Sequence, residues 1–286
     1  MANKSPIENF IAGGVGGALK ITISHPLDTI KVRLQTMPIA TDGFYSYLRK
    51  MIASEGFLAL YKGISVPLIA GVPFSASYFG GCAFGRWLLQ EEQSTGSFVS
   101  NFFIGGISGG FTSLIAAPLD RVKALLQVQS NVVKPRYRGP FHASRKLFRE
   151  GGVPNLYQGF SVTLLRGFLA GASYFSVYAL LKKIFSAGSD ADNRSSAVTI
   201  MISGGTAGVI VGLLGLPLDV LKSRLQTAPI GRYPRGIRDV LKEIRREGRM
   251  RSTLFRGWVP VLGLFPSNAV CFLGIETTVY LLDLRK

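Results

Sequence analysis

The chain has little of what enzymes use. Its 286 residues include two histidines and two cysteines. It has no Gly-rich phosphate loop and no cluster with metal-ligand spacing. The reading is therefore a protein that is not an enzyme, with no metal and no cofactor. Two thiols make no disulfide framework. Cys82 and Cys271 both fall in apolar runs and are expected to be reduced and buried. Met1 to Phe10 shows no secretory or Arg-rich leader pattern, so any targeting information is expected to be internal. Acid is also scarce: 16 acidic residues stand against 33 basic ones, for a formal charge of +17.

The most telling shortage is of charge within long runs. None occurs over the 24 residues from Ser195 to Leu218, the 22 from Ile64 to Gly85 or the 19 from Gly257 to Ile275. A bilayer crossing needs about 20 apolar residues. The chain is 47% hydrophobic, and its charge is segregated from its grease. Nucleic-acid binding would need a basic face without such segregated spans, so no nucleic-acid partner is expected.

Pro-Leu-Asp-x-x-Lys occurs three times, at Pro26–Lys31, Pro118–Lys123 and Pro217–Lys222. Each copy closes an apolar segment opened by small residues at four-residue spacing: Gly13/Gly17, Gly105/Gly109 and Gly204/Gly208/Gly212. Small faces let helices approach closely in lipid. Each copy leads into a basic amphipathic stretch (45–54, 139–150, 236–247) and then a second apolar segment. The expected fold is an all-α membrane protein of six transmembrane helices, 8–36, 66–90, 100–128, 160–183, 197–225 and 258–282. They form three pseudosymmetric repeats, 1–95, 96–192 and 193–286, with short amphipathic helices between the members of each pair. The three intra-repeat loops (31–62, 121–158, 222–256) hold 24 of the 33 basic residues. Such loops stay on the side from which they are not translocated, and both termini are expected on the other side.

Proline inside a helix removes a backbone bond and kinks it. Asp and Lys three residues apart share one side of a helix. If the odd-numbered helices converge, Asp28, Asp120 and Asp219 can meet Lys31, Lys123 and Lys222 in a ring that closes a pore. Gln35, Gln127 and Gln226 each follow a ring lysine by four residues. Their amides can bridge a neighbouring Asp–Lys pair.

Pro-x-Asp-x-x-Lys-x-Arg, followed by Glu55-Gly56 and Tyr61-Lys62-Gly63, with its counterparts in the other repeats, resembles the mitochondrial carrier family over essentially the whole chain. The resemblance implies a threefold barrel in the inner mitochondrial membrane, a functional monomer, that exchanges a solute by alternating access. The Asp–Lys ring would be the matrix gate, with the three glutamines as braces and both termini in the intermembrane space. Tyr61, Lys62 and Gly63, Tyr157 and Gly159, and Phe255, Arg256 and Gly257 would bind cardiolipin. Arg86, Lys182 and Glu276 would form a thin cytosolic gate, with two bases facing one acid. That imbalance predicts a resting state open to the intermembrane space.

Repeat two departs from the pattern, with Leu125 at the second basic position, Gln158 for Lys or Arg, and one extra residue in Glu150-Gly151-Gly152. Residues 24–36, 219–229 and 265–276 resemble the carnitine/acylcarnitine branch. Family substrate contacts carry over to Ala70, Arg166 and Leu264. The branch's acid beside the second contact is Gly167 here, and its third-contact Arg is Leu264. The expected substrate is a small molecule with a carboxylate for Arg166 and an apolar part for Ala70, Pro73, Phe74 and Leu264. Asp28 is available for a quaternary ammonium. His25 either touches substrate or packs; Lys20 either edges the cavity or snorkels outward. Two other readings stay open: a carrier of an amino acid or other carboxylate, and a carrier fold without exchange that leaks protons, binds lipid or acts as a scaffold.

Overall fold

In a computed structural model of the chain, the residues described are 6–36, 43–90, 98–129, 136–186, 193–263, 265–267, 270 and 277–278, and no strand occurs among them. Helix α1 (Pro6–Thr36) is followed by α2 (Phe44–Glu55), a 3₁₀ turn (Phe57–Tyr61) and α3 (Ser65–Leu89). The pattern returns as α4 (Phe98–Val128), α5 (Pro140–Leu156) and α6 (Phe160–Ser186). The last third gives α7 (Asn193–Leu214), α8 (Leu216–Thr227), α9 (Ile237–Arg246), α10 (Met250–Leu254) and α11 (Trp258–Leu262).

Among the described residues three stretches are long and apolar enough to cross a membrane, Phe57–Leu89, Phe98–Val128 and Phe160–Tyr178; the expected span 8–36 is not one of them. Ile202–Leu214 and Leu216–Thr227 form a fourth together, bent by 63°. Most of the expected span 258–282 lies outside the described residues. Ile69, Val72 and Phe79 on α3, Phe103 on α4 and Leu180 on α6 are exposed. Large apolar side chains pointing outward suit lipid and would be costly in water.

The three prolines do not act alike. Pro26 and Pro118 sit inside continuous helices, whereas the chain breaks between α7 and α8 just before Pro217. The residue two before the proline is Ser24, Ala116 or Gly215. Gly215 keeps an ordinary helical backbone; what sets it apart is that a neighbouring side chain, Arg166, occupies the place of its Cβ.

The small-residue faces are also unequal. A Cβ on Gly109 would land on the carbonyl of Gly167, and one on Gly171 on the carbonyl of Gly105. Helices α4 and α6 thus pack backbone to backbone. Around Gly14 and Gly17 of α1 there is open space.

At the end of the molecule that carries the short helices, three small cores repeat. Ile30 and Leu34 pack with Met51 and Leu60; Val122 and Leu126 with Ala143 and Leu147; Leu221 and Leu225 with Val240 and Ile244. Val66 of α3 enters the second core and Val162 of α6 the third. Each of these two is therefore shared between repeats, which brings the ends of α1, α4 and α8 together.

Candidate functional site

The convergence of α1, α4 and α8 makes a ring of ion pairs. Lys31 Nζ donates to Asp219 Oδ2 at 2.7 Å, Lys123 to Asp28 Oδ2 at 2.9 Å and Lys222 to Asp120 Oδ2 at 2.5 Å. Each lysine reaches the aspartate of the preceding repeat around the ring. The carboxylates are 14–37% exposed. All three pairs open onto one central cavity.

On the ring lies a cavity of about 500 Å³. All six ring residues line it, with Arg166 of α6 and neutral groups such as Tyr78, Thr112 and Ser113. Arg166 Nε donates to Asp219 Oδ1 at 2.7 Å, so Asp219 holds two cations at once. Gly215 makes room for this: a Cβ there would stand 2.5 Å from the guanidinium carbon. Among the described residues the cavity's charged lining is four cations against three carboxylates.

The glutamines do something other than bridge the ring. Gln127 Nε2 donates to Thr29 Oγ1 and Gln226 Nε2 to Thr163 Oγ1, both at 3.1 Å. Gln35 Oε1 accepts from Ser223 Oγ at 2.8 Å, and its Nε2 donates to the Arg256 carbonyl at 3.3 Å. All three are fully buried. Four residues past the lysine is one helical turn beyond the ion pairs, and all three glutamines still border the cavity. There each glutamine packs against the left-handed glycine that opens another repeat's second helix: Gln127 on Gly63, Gln226 on Gly159 and Gln35 on Gly257. A side chain at those glycines would be strained by φ of 80–85°. The glutamines thus join repeat to repeat, one turn beyond the ion pairs.

A layer of guanidinium groups lies beside them. Arg33 Nη1 donates to Glu55 Oε1 at 2.5 Å and Nη2 to Oε2 at 3.0 Å, while its Nε donates to the Gln127 carbonyl at 2.7 Å. Arg224 holds Glu247 at 2.7 and 3.1 Å and donates Nε to the Gln35 carbonyl at 3.3 Å. Lys62 donates to Glu55 at 2.7 Å and to the Gln129 carbonyl at 2.9 Å. Two hydrogen-bonding cations hold the Glu55 carboxyl down to about 2, the Arg33 hydrogen bond being the larger cause. Gln158 donates to the Leu225 and Ala228 carbonyls at 3.0 and 3.3 Å. Lys62 and Gln158 are thus committed to the next repeat rather than presented to lipid. Tyr157 Oη donates to the Leu114 carbonyl at 3.2 Å, Tyr61 lies against His25, and Phe255 is exposed.

Several expected contacts lie elsewhere. His25 is buried; its Nε2 lies 2.9 Å from the Lys62 carbonyl and its ring stacks on Tyr61. It packs, and it does not line the cavity. Ala70 is buried outside the lining, because it points into protein at the α3 start. Pro73 is exposed and Phe74 half-buried, both also outside it. Gly167 borders the cavity by its backbone alone. A Cβ there would meet Ser113 Oγ, so no side chain could act from this position. Lys20 is half-buried and outside the lining. Leu264, Glu276 and the side chain of Lys182 lie outside the described residues. Arg86 is exposed and makes no ion pair among them.

A threefold all-helical chain, with an ion-pair ring under a central cavity, defines a membrane solute carrier. The mitochondrial carrier protein family profile matches residues 2–93, 94–189 and 193–285. The chain belongs to the mitochondrial carrier family, whose proteins are multi-pass carriers of the inner mitochondrial membrane rather than enzymes. It is 45% identical to Protein dif-1 of Caenorhabditis elegans over 95% of this chain and 90% of that one. It is 39% identical to the human mitochondrial carnitine/acylcarnitine carrier protein, covering 98% and 95%. It is also 39% identical to mitochondrial magnesium exporter 1 of Drosophila melanogaster, covering 96% and 94%. Relatives named for different cargoes are equally similar, so identity does not choose the substrate.

Proposed function

We propose that this protein exchanges a carboxylate-bearing metabolite of the carnitine/acylcarnitine type by alternating access, with Arg166 as the group that meets the carboxylate. The observation that carries this is the cavity's charge. Among the described lining residues four cations face three carboxylates, and Arg166 is the cation outside the three ring pairs. A second carboxylate can compete with Asp219 for Arg166, since both would accept the same charge-assisted hydrogen bond. Asp28, the most exposed ring acid, is placed for the cationic end of a zwitterion. Among the described residues every carboxylate lining the cavity is already paired with a cation, which argues against magnesium as the cargo.

In this reading the Asp–Lys ring is the matrix-side gate, and the glutamine and guanidinium layers tie the repeats beneath it. Both termini face the intermembrane space. The exposed Phe255 and Trp258, next to Arg249 and Arg256, would meet anionic lipid such as cardiolipin.

Proteoliposomes loaded with carnitine, acylcarnitines, amino acids or other carboxylates test the reading. Exchange of a carboxylate is expected, with a loss of at least about tenfold in R166A and an unchanged unfolding midpoint. Uptake of Mg²⁺ with no carboxylate exchange overturns it. So does a complete lack of exchange, which would favour a scaffold or leak role.

A further inference from the structure

Repeat two has no arginine at the position of Arg33 and Arg224, because Leu125 stands there. The tie those arginines make is nevertheless present at the repeat two–three junction. Arg121, four residues earlier, donates Nη1 to the Gln226 carbonyl at 2.9 Å. Arg33 makes the same contact to the Gln127 carbonyl, and Arg224 to that of Gln35. Residues i and i+4 share a helix face, so a guanidinium one turn away reaches the same acceptor. Its other end differs. Arg121 Nη2 donates to Asn155 Oδ1 at 2.7 Å, where Arg33 and Arg224 hold carboxylates. Asn155 is itself fixed by donating Nδ2 to the Leu147 carbonyl at 2.7 Å. The carboxylate that a glutamate of this repeat could have offered, Glu150, is turned outward onto Arg136 at 3.0 Å.

We infer that Arg121 is a positioning residue, the relocated third latch of this carrier, which holds the end of α8 through the Gln226 carbonyl and an uncharged Asn155 clamp. Arg121 is 1% exposed. A guanidinium so buried, with an amide in place of a carboxylate, is costly unless its hydrogen bonds are used. The two it makes span two repeats. Fixing the Gln226 carbonyl keeps the amide of the same residue on Thr163 and sets Lys222, one turn back, against Asp120. Arg121 therefore acts on the ring through α8 without touching the cavity, whose lining does not include it. The threefold set of latches is complete, but one of the three contains no carboxylate. This conclusion is independent of which solute is carried.

Amide hydrogen exchange on the purified full-length protein tests it without a substrate. In R121A, exchange in 222–228 and 155–163 is expected to rise about tenfold or more, while 57–66 and 125–129 keep wild-type protection. R33A should give the reciprocal pattern. Unchanged exchange at 222–228 in R121A overturns the inference, and so does an equal rise at both junctions, which marks a general structural role. Should R121A fail to fold, R121K decides. A single ammonium cannot serve both acceptors as a guanidinium fork does, so a smaller rise confined to the same peptides is expected, and wild-type protection throughout overturns the latch.

Discussion

At the scale of single residues, the site is governed by which charges are shared. Asp219 accepts from both Lys31 and Arg166, and among the described lining residues Arg166 puts the cations one in excess of the carboxylates. Glu55 is the outlying counterpart, a carboxylate held by Arg33 and Lys62. Its folded-state value of about 2 lies below its ordinary 4.5. A depressed carboxylate stabilises the fold above its unfolded value and loses that contribution as pH falls through the folded one. The unfolding midpoint in detergent should therefore fall as pH drops from about 4.5 toward 2, and E55Q should show a shallower acid limb. Identical acid limbs would mean that Glu55 is unpaired in solution. The acids and bases of the ring were legible in the sequence, because a threefold Asp-x-x-Lys has few other uses. Arg121 was not, because a repeat alignment looks for arginine at the aligned position and finds Leu125.

At the scale of elements, glycine spacing proved an ambiguous sign. The sequence shows the same small-residue pattern in all three repeats, yet its use differs. Gly109 leaves no space for a Cβ before the Gly167 carbonyl, while Gly17 faces open space. Backbone cannot move aside as a side chain can, so G109A should lower the unfolding midpoint by an amount matching about 1–3 kcal/mol. G17A should be neutral or stabilising by up to about 1 kcal/mol, through helix propensity alone. Equal effects of the two substitutions in a thermal melt would refute the close α4–α6 packing. The prolines teach the same lesson. The motif is identical three times, but only the copy preceded by Gly215 breaks its helix, and that break is where Arg166 enters.

At the scale of the whole molecule, the direction of pairing around the ring is what holds the repeats in register. Lys123 reaches Asp28 across two repeats, so D28K should weaken both exchange and stability, and D28K/K123D should recover part of each. A double-mutant coupling of about 1 kcal/mol is expected for partners in contact. A coupling near zero would assign these charges to independent surface pairs.

The sequence by itself determined the architecture: charge-free runs of membrane length, three copies of one motif, and basic loops gathered on one side. These are properties of the chain's local chemistry and its repetition, and no tertiary contact is needed to see them. Only the tertiary structure decided which repeat meets which, that the glutamines tie repeats rather than bridge ion pairs, and that His25 and Ala70 pack away from the cavity. It also supplied the partner of Arg121. The physical reason is that hydrogen bonds and charges are satisfied in space. A buried donor takes the nearest acceptor its helix face can reach, whichever residue number brings it there.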